Sequence, residues 1–346
     1  MKIFKSRNTA NNFFLLKDEP QAIVFDGSSR PLWVLKDGSK HNTTCLHCTE
    51  KYCLQFSPSE IQPPLKNFPT LPIKEVCPSG ALKWDDKKQC PAVDSPKCIQ
   101  CGFCVKRCPA KAIYFQNGIQ VSIETENINV RQNSETPDDS KLHDKQMANL
   151  KSLPFQVRNI AKYSSALRKI YEELKHANSS VRELFVRNLF IILGIPASLR
   201  RTGDVYTRMD AIYKIDSNVG PLEIEFGQDT LSASRRILDD IAILHTRYKL
   251  DKMLQSPLVV CLTLPNARQG YWQVLRDIKK VEKISISTIT VGVLLMFLWN
   301  AEKLNINIDD YYIDYDNMSM RAVAESQLKI KIPIAEGYLG LLEPQK

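Results

Sequence analysis

The sequence predicts a two-domain protein in which a small α+β domain precedes an α/β domain built on a central mixed sheet flanked by helices. Three observations support this fold class. Nine of the ten cysteines lie between Cys45 and Cys108, residues 123–150 are polar, and helix and strand patterns alternate after that polar stretch. A chain of 346 residues is long enough to form two hydrophobic cores. We therefore assign 1–122 to the first domain, 123–150 to a linker and 151–346 to the second domain.

The individual elements follow from short-range patterns. Two apolar runs, 22–25 and 32–35, flank the turn dipeptide Asp26-Gly27, which predicts a β-hairpin ahead of the cysteines. In the second domain, the change between helical and alternating periodicity predicts the elements in order. They are helix 158–175, helix 180–192, strand 205–215, strand 221–226, helix 231–249, strand 258–264, helix 271–281, strand 284–290 and the start of a helix at 293–299.

Composition and the chain start argue against secretion and against a membrane protein. The residues after Met1 contain no apolar stretch of the length that a secretion signal requires. We therefore expect reduced thiols and a cytoplasmic location, since disulfides persist in oxidising compartments. The apolar run 284–299 is shorter than the roughly 20 residues that span a bilayer, and we expect it to be core, with no membrane partner. Residues 151–346 contain 27 Lys+Arg and 22 Asp+Glu, and this net charge of +5 permits, but does not by itself indicate, binding to nucleic acid.

The cysteine spacing is the strongest chemical signal in the sequence. Residues 98–109 read C-x2-C-x2-C-x3-C-P, and a looser run, 45–53, is followed by Cys77-Pro78. Three closely spaced thiolates can hold three irons of one cubane cluster, whereas the cysteine before proline points to another cluster. Both runs end in the pattern Cys-Pro-x-x-Ala-aliphatic, whose Ala-aliphatic pair we expect to pack beside a cluster.

These residues resemble the dicluster ferredoxin family over roughly 40–120. The resemblance implies two [4Fe-4S] clusters with exchanged ligands. One cluster would be held by Cys98, Cys101, Cys104 and Cys77, and the other by Cys45, Cys48, Cys53 and Cys108. The chain departs from the family in the four residues before Cys53 and the 23 residues between Cys53 and Cys77.

Two alternatives accompany this interpretation. Paired cysteines at this spacing also bind zinc, although a zinc site does not require the C-x2-C-x2-C-x3-C-P run. Cys90 belongs to neither quartet, and we interpret it as a spare thiol.

The second domain places carboxylates on neighbouring strands. Alternation in 205–215 turns Asp210 away from the apolar face, and alternation in 221–226 projects Glu223 and Glu225 together from one face. If the two strands pair around the turn between them, the three carboxylates converge, which suits a hard divalent cation such as Mg²⁺ or Mn²⁺. The alternative is an amphipathic hairpin with a solvated acidic face.

Asp210, twelve intervening residues and Glu223-Ile224-Glu225 are similar to the motif of the PD-(D/E)xK restriction-endonuclease-like nucleases, and so is the element order. The resemblance implies that Asp210 and Glu223 bind the metal, that Glu225 takes the third motif position, where the family usually has lysine, and that Glu183 is a helix carboxylate. Ser180-x-x-Glu183 also fits a capping box, in which Glu183 only supports the helix start. In helix 231–249, Arg235–Asp239 and Arg236–Asp240 have the spacing of solvated ion pairs.

Three functions fit these patterns. The first is metal-dependent cleavage of DNA phosphodiesters by an iron–sulfur protein whose clusters are structural or redox-sensing. The second is electron transfer by a ferredoxin whose C-terminal domain docks a redox partner. The third is nucleic-acid binding that responds to the redox state without catalysis.

Overall fold

The computed structural model describes residues 2–5, 14–16, 21–25, 30–35, 37–45, 48, 50–88, 90–124, 131–133, 148, 153, 155–227, 230–300, 307–314, 319–338 and 340–345, with the backbone alone described for 2–5, 14–16 and 131–133. The chain forms two compact units. The first comprises Met1–Phe56, Glu75–Tyr163 and Leu298–Glu302, and the second comprises Ser57–Lys74, Ser164–Phe297 and Lys303–Lys346. Most of the predicted linker, 123–150, lies outside the described residues.

The first unit begins with small sheets. The described strands of this unit are β1 (Lys2–Lys5), β2 (Phe14–Leu16), β3 (Ala22–Val24), β4 (Leu32–Val34), β5 (Lys40–Asn42), β6 (Leu82–Asp85), β7 (Cys90–Val93), β8 (Ile113–Gln116), β9 (Gln120–Ile123) and β10 (Arg131–Asn133). Strands β3, β4 and β5 form an antiparallel sheet around the fully buried Trp33, which confirms the predicted hairpin and adds a third strand. Strand β1 pairs antiparallel with β2 and parallel with β10.

Two hairpins follow the two Cys-Pro sequences. Antiparallel β6 and β7 come after Cys77-Pro78, and antiparallel β8 and β9 come after Cys108-Pro109. Between them lies the short helix α1 (Phe103–Arg107). The internal duplication that the sequence shows in its cysteine runs is therefore also present in the fold.

The long gap between Cys53 and Cys77 is an excursion into the second unit. Gln55 and Glu75 form an isolated antiparallel bridge, so the chain leaves and returns to the first unit at one place. The intervening residues, Ser57–Lys74, belong to the second unit, where Phe68 is buried in a core cluster with Met209, Ile212 and Leu244. The departure from ferredoxin spacing is thus an inserted segment that completes another core.

The second unit is built on a five-stranded mixed sheet with helices, which confirms the predicted fold class at that level. Its strands are β11 (Ala197–Leu199), β12 (Ala211–Ile215), β13 (Asn218–Glu225), β14 (Leu258–Cys261) and β15 (Ser287–Thr290), in that spatial order. Pairing is antiparallel from β11 to β13 and parallel from β13 to β15. Every residue of β14 and β15 is buried, as is typical of parallel strands covered on both faces.

The helices connect these strands and cover the sheet. They are α2 (Tyr163–His176), α3 (Ser179–Ile192), α4 (Thr230–Tyr248), α5 (Gly270–Glu282), α6 (Val291–Trp299) and α7 (Met320–Leu328). The parallel pairs β13–β14 and β14–β15 are joined through α4 and α5, because a parallel connection needs a crossover. The apolar run 284–299 divides into β15 and α6, both buried, as the sequence predicted. Among the described residues, no helix has the length and apolarity needed to cross a bilayer.

Two sequence predictions of local structure are wrong. The strand predicted at 205–215 begins at Ala211, and Val205 is 76% exposed in the preceding loop, where Asp204 accepts hydrogen bonds from the backbone N–H groups of Tyr206 and Thr207. The alternating apolar and polar residues before Ala211 therefore belong to a turn, which the side chain of Asp204 stabilises, and not to a strand. The helix predicted at 158–175 begins at Tyr163, five residues after the predicted start.

Candidate functional site

Helix α1 and its C-cap contribute one cysteine to each predicted quartet, since Cys104 lies in the helix and Cys108 caps its end. The helix begins after Gly102, whose φ of +88° is the left-handed region that glycine enters without strain. A Cβ at Gly102 would lie 3.0 Å from the Phe115 ring and 3.1 Å from Val157, so a side chain is also excluded by packing. The turn that presents Cys101 and Cys104 on either side of the helix start therefore requires glycine.

The first cavity brings one predicted quartet together. It has a volume of about 380 Å³, and its cysteines are Cys77, Cys98, Cys101 and Cys104. Apolar side chains complete the wall of this cavity, among them Ala81 and Leu82, which follow Cys77-Pro78. These four cysteines are the set that the ferredoxin resemblance assigned to one cluster.

The second cavity brings the other quartet together. It has a volume of about 370 Å³, and its cysteines are Cys45, Cys48, Cys53 and Cys108. Ala112 and Ile113, which follow Cys108-Pro109, line this cavity. Lys51 and Trp84 also line it, and the Nζ atom of Lys51 lies 4.0 Å from the centroid of the Trp84 ring. Arg107 of α1 donates hydrogen bonds to the carbonyl oxygens of Tyr52 (2.7 Å) and Gln55 (3.3 Å), which holds the longer Cys48–Cys53 loop in place.

Cys90 lines neither cavity. It is a buried residue of β7, where it pairs with Asp85 across the hairpin. Burial raises the pKa of its thiol, so it stays protonated at neutral pH. None of the ten cysteines forms a disulfide bond.

The donor chemistry of the two cavities fits cubane iron–sulfur clusters. Burial raises the pKa of the thiols of Cys53, Cys101, Cys104 and Cys108, with the neighbouring cysteines adding to the shift for Cys53, Cys101 and Cys104. Iron bound to the thiolates would offset the cost of ionising them. Within the part of the chain that the structure describes, no three His, Cys, Asp or Glu side chains could hold a single metal ion.

In the second unit, the structure brings the sequence-predicted carboxylates together. Asp210 lies just before β12 and accepts a hydrogen bond from the backbone N–H of Ile224 (2.8 Å). Glu223 and Glu225 of β13 both accept from Arg236 of α4, at 2.7 and 3.0 Å. The pKa of Asp210 and of Glu223 is raised, first by burial, and to about 7 for Glu223.

The alternative of a solvated acidic face does not hold for Glu223. This residue is 2% exposed because helix α4 packs on β13. The sequence also paired Arg236 with Asp240, but Arg236 binds Glu223 and Glu225 instead. Asp240 is fully buried, and its carboxyl group hydrogen-bonds to that of Glu223, which requires one proton between the two. Burial, followed by the negative charge of Glu223, raises its pKa to about 9.

Asp240 is a member of this cluster that sequence reasoning missed. A signal was present, because Ile237, Asp240, Ile241 and Leu244 follow the spacing of the buried face of α4. A carboxylate on an apolar stripe is expected to share a proton or a cation with a neighbour. We refer to Asp210, Glu223 and Asp240 as the carboxylate cluster.

Glu183 also approaches this cluster. The capping box predicted at Ser180 is wrong, since Asn178 caps α3 by accepting from the backbone N–H of Val181 (2.9 Å). Burial raises the pKa of Glu183, and the charge of Asp210 adds to the shift, so the two carboxylates are within electrostatic range. The structure therefore places Glu183, Asp210, Glu223 and Glu225 in one region of the second unit.

Comparison with known proteins identifies the chemistry of the first unit. Residues 91–114 match the family model of the 4Fe-4S binding domain. The chain is 42% identical over 48 residues to an uncharacterized ferredoxin, MJ0155, of Methanocaldococcus jannaschii, covering 14% of this chain and 30% of that protein. It is 44% identical over 43 residues to the polyferredoxin-like subunit of an aliphatic sulfonate oxidoreductase of Pyrococcus furiosus, covering 12% and 25%.

A third relative is the uncharacterized ferredoxin-like protein YdhY of Escherichia coli, 32% identical over 66 residues, covering 19% of this chain and 22% of that protein. The chain thus spans less than a third of the length of these relatives. A structure of the restriction endonuclease FokI bound to DNA aligns with 67% of this chain and 41% of its own at a TM-score of 0.28 and 12% identity, a likeness too weak to carry an argument. The first unit contains a ferredoxin-like 4Fe-4S segment.

Proposed function

We propose that this protein carries two [4Fe-4S] clusters that transfer single electrons to or from a redox partner. Cys77, Cys98, Cys101 and Cys104 would hold one cluster, and Cys45, Cys48, Cys53 and Cys108 the other. The observation that carries this proposal is the division of eight cysteines, four and four, between two cavities of nearly equal volume. Each cluster, when bound, takes up or gives up one electron.

The spacing of the cavities supports electron exchange between the clusters. Cys104 lies on α1 and Cys108 caps its C-terminal end, four residues later, yet they line different cavities. The charge of Cys53, in the second cavity, contributes to the raised pKa of Cys104, in the first. We expect this chemistry to take place in the cytoplasm, where thiols stay reduced.

The test is a redox titration of the reconstituted chain, followed by electron paramagnetic resonance. Two one-electron steps and reversible reduction would support the proposal. A chain that binds zinc in place of iron, or that shows no reversible reduction, would contradict it.

The second candidate function, metal-dependent cleavage of DNA phosphodiesters by the second unit, is favoured by the buried Asp240. Burial and the neighbouring carboxyls raise the pKa of Asp240 to about 9 and that of Glu223 to about 7, so the charged forms are disfavoured, and a bound cation would stabilise those forms. Mg²⁺ commonly takes one or two carboxylates and keeps several waters, so Asp210 and Glu223 suffice as ligands. When bound, it would supply a Lewis acid and an activated water.

The chain's own residues would then position the reaction. The backbone N–H of Ile224 fixes Asp210, and Arg236 holds Glu223 and Glu225 on one face of β13. Restriction-endonuclease-like sites usually have lysine where this chain has Glu225, and Arg236 brings a positive charge to the same place, 3.0 Å from that carboxylate.

Cleavage is tested by incubating supercoiled plasmid with the holoprotein and Mg²⁺ or Mn²⁺. Nicking that Asp210→Asn abolishes and Asp239→Asn preserves would support this second function, because Asp239 is an exposed carboxylate of the same helix as Arg236. Retention of plasmid by the protein without any nicking would instead indicate redox-responsive nucleic-acid binding, and the catalytic candidate would be discarded.

A further inference from the structure

Arg158 is a buried cation in the first unit. The residue is 1% exposed, and its guanidinium carbon lies 3.9 Å from the centroid of the Phe115 ring and 4.3 Å from that of Trp299. Its Nη2 donates a hydrogen bond to the carbonyl oxygen of Gln100 (2.9 Å). Its Nε and Nη1 are buried and have no hydrogen-bond partner among the described residues. The guanidinium therefore has donors left over in a place that water does not reach.

An unpaired charge at such a position is costly unless an anion lies nearby. Among the described residues, no carboxylate forms a hydrogen bond to Arg158. Burial lowers the pKa of Arg158 to about 9, and the groups that oppose this shift are Cys101, Tyr163 and Cys98, in that order. Two of these three groups line the first cavity. The anionic partner of Arg158 is therefore to be found in the quartet itself.

The chain fixes the guanidinium against the cysteine loop with several bonds. Trp299, whose ring stacks on Arg158, donates a hydrogen bond from Nε1 to the carbonyl oxygen of Cys101 (2.7 Å). The carbonyl oxygen of Trp299 accepts from the backbone N–H of Val157, next to Arg158, at 3.1 Å. Tyr163 packs against Trp299 with ring centroids 5.2 Å apart. A charge held this way cannot move away when the charge of the quartet changes.

We infer that Arg158 is the fixed counter-charge of the cluster held by Cys77, Cys98, Cys101 and Cys104, and that it raises the reduction potential of this cluster. The inference rests on the proposed two-cluster function. An oxidised cubane with four thiolates has a net charge of roughly −2. One electron from the reductant makes this charge more negative by one unit, with no bond formed or broken. A positive charge in a poorly solvated site stabilises the more negative state more strongly.

The experiment compares redox titrations of the holoprotein, reconstituted with iron and sulfide, for the wild type, Arg158→Gln and Arg158→Lys. We expect Arg158→Gln to shift one of the two one-electron steps to a more negative potential and to leave the other in place. Arg158→Lys keeps the charge and should keep both steps near their wild-type values. Lys51→Gln is the matched control, because it removes one positive charge from the lining of the second cavity and should shift the other step.

The outcomes separate this inference from the proposal on which it rests. A wild-type chain that holds fewer than about eight irons contradicts the two-cluster proposal itself. Unchanged steps in a fully loaded Arg158→Gln protein overturn the inference alone, as does an Arg158→Lys protein that shifts as far as Arg158→Gln. If the Arg158→Gln protein holds only about four irons, it lacks the step to be compared, and the Arg158→Lys protein then provides the test. Full loading with wild-type potentials then supports the counter-charge, and loss of a cluster despite the retained charge overturns it.

Discussion

The backbone N–H of Cys108 donates a hydrogen bond to the carbonyl oxygen of Cys104 at 3.0 Å, yet the two thiols line different cavities. One turn of backbone thus connects a cysteine of one quartet to a cysteine of the other. The extended backbone at Cys108, with φ −66° and ψ 111°, ends the helix and turns the chain toward the proline that follows. The exchange of the fourth cysteine between the two cysteine runs is a direct result of this helix end.

The carboxylate cluster should make stability depend on pH. In the folded state the pKa of Glu223 is raised to about 7 and that of Asp240 to about 9, both above the values of the unfolded chain. The folded state therefore binds more protons, so this contribution to stability is complete at acidic pH and is lost as the pH rises through about 7 and 9. We expect the free energy of unfolding of the second unit to fall by more than about 1 kcal/mol from pH 6 to pH 9.

Denaturant unfolding across this pH range measures the effect. Asp240→Asn keeps the volume without the charge and should flatten the dependence, whereas Asp239→Asn should change it only slightly, because the charge of this exposed residue contributes little to the raised pKa of Asp240. An equally steep dependence in Asp240→Asn would show that Asp240 is not the titrating group.

The excursion between the two quartets should stabilise the second unit. Phe68 is 4% exposed and packs against Met209, Ile212 and Leu244, so Phe68→Ala should destabilise that unit by about 3–5 kcal/mol. The exposed Lys66→Ala should change stability by less than about 0.5 kcal/mol. Denaturant unfolding followed by far-ultraviolet dichroism and by visible absorbance separates protein unfolding from cluster loss. A Phe68→Ala variant that loses its visible absorbance first would contradict the assignment of Ser57–Lys74 to the second unit.

Gly220 of β13 should tolerate no side chain. A Cβ there would lie 1.9 Å from the carbonyl oxygen of Ser256 and 2.7 Å from the Tyr213 ring, and backbone cannot yield as a flexible side chain does. We expect Gly220→Ala to cost about 3 kcal/mol or more, or to prevent folding of the second unit.

Gly270 provides the control for that substitution, since a Cβ at its position meets nothing within 4 Å. Gly270→Ala at the start of α5 should leave the unfolding transition unchanged. Equal stability of the two variants would contradict the close approach of Ser256 to β13.

The sequence predicted some features because they depend on local spacing. The cysteine runs fixed which residues share a turn, and the proline after Cys108 indicated where the chain leaves helix α1. The second unit's sheet was recognisable because β13, β14 and β15 are separated by long amphipathic helices. These patterns require no knowledge of distant contacts.

Other features depended on contacts that spacing does not reveal. Asp240 has the i,i+4 position of an ion pair with Arg236, but the carboxylates of β13 compete for that guanidinium and bind it. Asn178 rather than Ser180 caps α3, since either residue type can cap. Arg158 resembled the first residue of a helix, whereas its stacking between Phe115 and Trp299 involves residues far apart in the chain.

The division of the cysteines into two quartets is tested most directly by iron and sulfide analysis of reconstituted wild-type, Cys101→Ser, Cys48→Ser and Cys90→Ser proteins. We predict about eight irons for the wild type and for Cys90→Ser, and about four for each of the other two, with a different redox step lost in each. About four irons in the wild type, or loss of the same step in Cys101→Ser and Cys48→Ser, would contradict the two-cluster account.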